Sequence, residues 1–248
     1  MRNRNRNRVA ILIVAFLGTP ETIASKLRDS EIRYQHTKNA FLEIKKNIGN
    51  QSIFLGLVGD ESECKRFINE CNLNENNSKL FDQDRTLITR GTGALENQLI
   101  MNCIKNWSLE KRFDVVIKIT GKYQVLNLHN VINFSTTITQ QIYAWRIKMN
   151  DMVDTRVFLF NPNFYLQNQE LLKKVNSMPG WWFENIIFKL MEKMGYSPGI
   201  LCCRPMLKGL AGTTNEFTIT PLYKRTLIKF STLIYIIYIS FVFNKIKF

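Results

Sequence analysis

Lys118, Thr120, Gly121, Lys122 and Tyr123 stand together at the end of the apolar run FDVVIKITGKY, residues 113–123. Two cations, a hydroxyl, a glycine and a phenol in so short a span can cradle a phosphate: the lysines offset its charge and the glycine lets backbone come close. The same string also suits a plain polar turn. Glu184 stands near the start of WWFENIIFKLMEKMGY, residues 181–196. A carboxylate there is either a proton acceptor or an anion favoured by the helix dipole. Asp60 closes a second apolar run, SIFLGLVGDES, residues 52–62. Asp82 and Asp84 are a carboxylate pair one residue apart, a spacing that lets both reach one Mg2+ or Mn2+. That pair follows only Lys79, Leu80 and Phe81 and lies among asparagines, so it reads as a solvated loop and is not taken as a metal site.

These groups need elements to hold them. Val115, Val116 and Ile117 are consecutive and β-branched, which suits a strand buried on both faces of a helix-covered parallel sheet. In such sheets ligands gather at the carboxyl ends of strands. VAILIVAFL, residues 9–17, follows the basic repeat MRNRNRNR, residues 1–8. Together they imitate a secretory signal, but GTPE stands where a small-x-small cleavage pattern belongs, so we expect a buried first strand preceded by a disordered basic arm. Between Glu21 and Asn47 the composition becomes helical, and Thr37, Phe41, Ile44 and Ile48 share one face. Strand, helix and strand make a βαβ unit. The polar residues 63–86 read as a helix and then a loop. RGTGALENQLI, residues 90–100, opens a helix with Gly91 and Gly93 at its entrance and Leu95, Leu99 and Cys103 along one face. Free amides at such an entrance favour an anion, although a G-x-G pair also serves a simple turn. DTRVFLFNPNFY, residues 154–165, supplies another strand. Phe183, Ile186, Ile187, Leu190, Met191 and Met194 stripe the clearest helix.

The chain has 248 residues, enough for one large α/β domain, expected over 9–221, with a tail at 222–248. In the tail an apolar, aromatic run is bracketed by Lys224, Arg225, Lys229, Lys245 and Lys247, which predicts a helix lying on an anionic membrane rather than crossing it. Lys and Arg number 34 against 20 Asp and Glu, leaving +14 and favouring anionic partners. No zinc-finger spacing or RNA-binding aromatic pair is present and the basic residues are dispersed except at the ends, so nucleic acid is not the favoured partner. Five cysteines without a CxxC pair predict reduced thiols in a cytosolic compartment, and two histidines are too few for a histidine-based metal site.

In this order the landmarks resemble those of the GT-A glycosyltransferases, particularly the family 2 enzymes and small bacterial capsule or lipopolysaccharide relatives. The family's R-x-x-Q-T-x-x-S segment is similar to Arg33, Gln35, His36, Thr37 and Ala40, with the spacing slightly off. Its strand ending in an acid that binds the base resembles Asp60-Glu61-Ser62, and its glycine-rich helix start is matched loosely by Gly91, Leu95 and Asn97. At the usual D-x-D position stands KITGKY, which looks like the K-x-T-G-[RK]-Y variant of some polysaccharide-assembly transferases. The Glu-Asp pair opening a helix that ends in Gly-Tyr is similar to Glu184-Asn185 and Gly195-Tyr196. Asn185 replaces the carboxylate most often assigned as base, which leaves Glu184.

The resemblance implies a GT-A-like, Rossmann-related, mostly parallel sheet flanked by helices. It implies a nucleotide-sugar-dependent hexosyltransferase of surface polysaccharide assembly, on the inner face of the cell membrane. Its partners are a UDP-sugar or similar donor and a glycan or lipid-linked acceptor. Glu184 and Lys122 are the implied catalytic residues, with Arg33, Asp60, Gly91, Asn97, Lys118, Thr120, Gly121 and Tyr123 around the donor. No metal residues are assigned and no cofactor is required, since lysines can offset the diphosphate charge; divalent Mn2+ or Mg2+ is the less favoured alternative. The alternatives are a basic nucleic-acid-binding protein without enzymatic activity and an inactive relative of these transferases.

Overall fold

A computed structural model describes residues 6–17, 30–147, 151–211 and 216–245. Its centre is a six-stranded sheet in the order β3-β2-β1-β4-β7-β6, built from β1 (Val9–Phe16), β2 (Ser52–Val58), β3 (Ser78–Leu80), β4 (Val115–Thr120), β6 (Ile142–Arg146) and β7 (Val153–Phe160). A second sheet of three strands is ordered β5-β8-β9, from β5 (Tyr123–Val125), β8 (Leu207–Ala211) and β9 (Glu216–Ile219). The helices are α1 (Ser30–Asn47), α2 (Glu61–Glu70), α3 (Thr92–Trp107), α4 (Leu109–Arg112), α5 (Leu128–Ser135), α6 (Pro162–Gln167), α7 (Gln169–Leu172), α8 (Phe183–Lys193) and α9 (Leu222–Lys245), with a 3-10 turn at Arg85–Arg90. This is an α/β fold with a mostly parallel sheet covered by helices on both faces.

β1 is the middle of the design. It pairs in parallel with β2 on one side and β4 on the other, and every residue from Val9 to Ala15 is buried. Alternation along the strand divides those residues between two cores. Ala10, Leu12 and Val14 pack with α3 and α8, while Val9, Ile11, Ile13 and Ala15 pack with α1, α2 and α5. The chain lays β2 and β3 to one side of β1 and then returns to place β4 on the other. That reversal opens a crevice at the carboxyl ends of β1 and β4, the place where open α/β sheets take ligands. β7 runs antiparallel between β4 and β6.

The expected helices appear, with α1 burying Thr37, Phe41 and Ile44 and α8 burying Phe183, Ile186, Ile187, Leu190 and Met191. Met194 falls just beyond α8 and is exposed. The loop expected within 63–86 contains the short β3, and the small second sheet is an addition to the expectation. Residues 1–5 and 18–29 lie outside the described residues, so most of the basic arm and the first part of the 21–47 segment do too. Asn7 and Arg8, expected in the free arm, are instead tied down: Asn7 donates to the Ser135 and Ile138 carbonyls and Arg8 pairs with Asp114 at 3.2 Å.

α9 docks through one face. Ile228 and Thr232 are buried, and Tyr235 shares a 2.8 Å hydroxyl hydrogen bond with Thr137 and lies edge-on to Phe134. Leu227, Phe230, Leu233, Ile234, Ile237 and Tyr238 remain exposed. Among the described residues no helix is long and apolar enough to cross a membrane.

Candidate functional site

The side chains of Val116, Lys118 and Thr120 project to the α3/α8 face of β4 by strand alternation. Lys118 is thus a cation inside an apolar layer, fully buried. An ammonium there is tolerable only when paired and hydrogen-bonded. Its Nζ lies 2.7 Å from Glu96 Oε1 on α3, and donates to Thr120 Oγ1 at 2.8 Å and to the Thr155 carbonyl on β7 at 2.6 Å. Thr120 in turn donates its hydroxyl to Glu96 at 2.8 Å. Burial pushes the pKa of Lys118 down, and Glu96 opposes the shift.

Thr155 carries the network onward. Its hydroxyl donates to Glu184 Oε1 at 3.0 Å, so one residue on β7 grips the ammonium by its carbonyl and the carboxylate by its side chain. Glu184 sits in the first turn of α8. Burial raises its pKa above the ordinary carboxylate value, with its own backbone N–H and Thr155 pulling down and the negative charge of Glu96 pushing up. A carboxylate held this way is a better proton acceptor than a solvated one.

Lys122 follows β4 on the adjacent turn. Burial depresses its pKa from 10.5 to about 8, with Glu96 opposing and Arg33, Lys118 and Arg156 reinforcing. Its Nζ is 5.5 Å from the centroid of the Tyr123 ring, which the Arg156 guanidinium also covers at 5.4 Å. Arg156 is held by Asp154 in a two-point pair at 2.8 and 2.7 Å. The crevice end of β4 therefore combines a proton-accepting carboxylate with the cations Lys122, Arg33 and Arg156, a set suited to an anionic ligand that loses or accepts a group beside a base.

The structure brings together Lys118, Thr120, Lys122, Tyr123, Arg33 and Glu184 from the expected set. Gly121 is there as well, but it serves packing: its amide donates to the Val14 carbonyl at 2.8 Å, and a Cβ on it would stand 2.6 Å from the Ala15 Cβ. Lys118 reaches a ligand only through Thr120 and Glu96, since its three hydrogens have protein acceptors. Gly91, at φ 90°, ends the 3-10 turn and starts α3. Asn97 is a buried strut, accepting from the Tyr165 hydroxyl at 2.6 Å and donating to the Leu172 carbonyl at 3.0 Å. Asp60 caps α2, accepting from the backbone of Ser62 and Glu63 at 2.9 and 3.1 Å. Asp60→Ala is expected to lower the melting temperature by about 2–4 °C. The same variant, titrated with nucleotide, separates the cap from a ligand role: unchanged affinity leaves the cap alone.

Glu96, Thr155, Asp154 and Arg156 escaped the sequence reading. Glu96 lies one turn into the glycine-opened helix, but nothing local distinguishes it from a surface acid until α3 is laid on β4. Asp82 and Asp84 line a small cavity with Phe16 at the end of β1, Val58 at the end of β2 and Gln98 and Asn102 of α3, and Asp84 caps the 3-10 turn. Among the described residues no group of three or more His, Cys, Asp or Glu converges as metal ligands.

No protein-family model matches the chain, and no curated protein sequence does. Solved structures resemble it at low identity. One is the 4-diphosphocytidyl-2C-methyl-D-erythritol synthase of Anaerococcus prevotii, at 10% identity and TM-score 0.45, over 89% of this chain and 95% of that one. A mannosyltransferase from Pyrobaculum calidifontis, in complex with GDP-Man and Mn2+, aligns at 11% identity and TM-score 0.49, over 79% of this chain and 55% of that one. A protein from Desulfovibrio desulfuricans assigned as a nucleotide-diphospho-sugar transferase aligns at 8% and 0.46, over 77% and 79%.

Proposed function

We propose that the chain is a nucleotide-sugar-dependent glycosyltransferase, moving a sugar from a nucleoside diphosphate donor to a hydroxyl of a glycan or lipid-linked acceptor in surface polysaccharide assembly. The observation that carries the reading is the joining of Glu184 to the β4 end through Thr155, which sets a base with a raised pKa on the network of the buried Lys118, with Lys122 on the turn that follows. Transfer requires the acceptor oxygen to bond the anomeric carbon as the bond to the diphosphate breaks. Glu184 takes the acceptor's proton, while Lys122, with Arg33 and Arg156 near it, offsets the charge that builds on the departing diphosphate. Lys118 and Glu96 fix Thr120 and the turn bearing Lys122.

The direct test is a panel of nucleotide sugars screened for thermal stabilisation, followed by turnover of those that bind. A ligand at one hundred times its dissociation constant adds about 2.7 kcal/mol. Donor turnover that survives EDTA supports the lysine-based reading. Complete, Mn2+-reversible loss overturns the metal-free part, and absence of any stabilising nucleotide overturns the whole.

Lys122 gives the site a pH signature. Its ammonium is present below about pH 8 and lost above it, so affinity for a nucleoside diphosphate should fall about tenfold from pH 7 to pH 9. Lys122→Arg, charged throughout, should flatten that profile. A wild-type affinity constant over this range would remove Lys122 from the site.

The tail reading places the enzyme on an anionic membrane at the cytoplasmic face. It is supported by the exposed apolar face of α9 and the flanking Lys224, Arg225 and Lys229. Each basic group near such a surface adds about 1 kcal/mol that salt screens, whereas the apolar contribution persists. Phe230→Asp with Ile237→Asp, both at exposed positions, should leave the fold intact and abolish sedimentation with anionic vesicles. Undiminished sedimentation would assign those side chains another role.

A further inference from the structure

Cys202 and Cys203 are a pair of soft nucleophiles that the proposed chemistry does not use. They lie in a turn closed by the Arg204 amide donating to the Leu201 carbonyl at 3.1 Å, with Cys203 in the left-handed region at φ 51°. The turn is fastened from two sides. Trp145 Nε1 donates to the Cys202 carbonyl at 3.0 Å, and the Cys203 amide donates to Thr232 Oγ1 on α9 at 3.1 Å. The two sulfurs are 3.7 Å apart, in thiol–thiol hydrogen-bond contact. This contact holds the pKa of Cys202 below its ordinary thiol value. Cys202 is half-buried and reachable, whereas Cys203 is buried.

Geometry decides what such a pair captures. A disulfide brings sulfurs to about 2.05 Å and prefers α-carbons roughly 4.4–6.8 Å apart, but neighbours joined by a trans peptide are held at about 3.8 Å. A soft centre bonded to both sulfurs at about 2.3 Å spaces them by about 3.8 Å when tetrahedral and by a few tenths less at the narrower angles of pyramidal trivalent arsenic, so the pair observed at 3.7 Å closes slightly on capture. No third Cys, His, Asp or Glu among the described residues joins the pair as a metal ligand. An ion that demands four protein ligands is therefore poorly served, and a trivalent arsenical, which brings its own substituent and needs only two thiols, is well served.

We propose that Cys202 and Cys203 form a dithiol capture site for trivalent arsenicals and like thiophilic reagents, and that filling it undocks α9. With an organic arsenoxide, two S–H bonds break and two S–As bonds form. The oxide oxygen leaves with both protons as water, and arsenic stays trivalent. Undocking follows from the cover over Cys203, since its amide is bound to Thr232 and the Tyr235 hydroxyl stands close enough to feel both thiols. An arsenic bearing a phenyl group needs the space that this face of α9 fills.

The test treats the full chain with phenylarsine oxide and reads intact mass and hydrogen exchange. We expect one adduct per chain, removed by a 1,2-dithiol but not by excess monothiol, with faster exchange across residues 222–238. Cys202→Ser alters the more accessible member and should abolish the monothiol-resistant adduct; Cys202→Ala is the second variant, should serine disturb the turn. An adduct that persists in both variants, or that monothiol strips from wild type, overturns the site, because Cys64, Cys71 and Cys103 would then be responsible. An adduct that leaves α9 exchange unchanged overturns the coupling.

Discussion

Glu184→Gln should leave the chain folded, with donor affinity little changed and turnover reduced about 10²–10⁴-fold. The amide keeps the volume of the carboxylate and can still accept the Thr155 hydroxyl, so a merely structural role predicts no such loss. The pH profile gives a second reading. Because burial raises the pKa of Glu184, the acid limb of kcat should lie above the ordinary carboxylate range: the rate falls as pH drops through the raised value and the base becomes protonated. Turnover equal to wild type in the glutamine variant would reduce Glu184 to a first-turn anion favoured by the helix dipole.

The second large effect concerns Glu96. Glu96→Ala removes the carboxylate 2.7 Å from a fully buried ammonium, and losing one partner of a buried pair costs about 3–5 kcal/mol. For a chain of this size that is a fall in melting temperature of about 10 °C. Lys118 can escape part of the penalty by shedding its proton, so the loss should shrink as pH rises. Glu96→Leu combined with Lys118→Met replaces both charges by apolar groups and should recover most of the stability, since such exchanges are often neutral or better. A single variant as stable as wild type would mean that the ammonium is rehydrated in solution and that the pair does not organise β4.

The contrast between these two acids shows what the sequence can carry. β1, β2, β4, α1, α3 and α8 were legible because apolar periodicity records which face is buried, and that is a local property. Glu184 drew notice because it opens the clearest stripe in the chain, where the resembling family keeps its acidic pair. Glu96 stands one residue before Asn97 in a helix read correctly, yet which of the two turns toward β4 depends on the packing of α3, and the sequence reading singled out only Asn97. Lys118 was seen as a chemical group, but its burial was not, because an ammonium in a strand core makes sense only once α3 and β7 supply its acceptors. β3, β5 and β8 are short, with too few residues to establish a period, and so left no trace.

β1 is flanked by partners that the ribosome delivers at very different times. Val9 pairs with Val115 across a separation of about 100 residues, which at 5–20 residues per second takes on the order of 5–20 s to synthesise. β2 arrives sooner, but one edge of VAILIVAF stays open meanwhile, an uncharged β-branched segment of the type that joins neighbouring chains edge to edge. The arginines at positions 2, 4, 6 and 8 stand directly before it. Like charges set directly before an apolar strand oppose its edge-to-edge pairing with a second copy, which is how gatekeeper residues act.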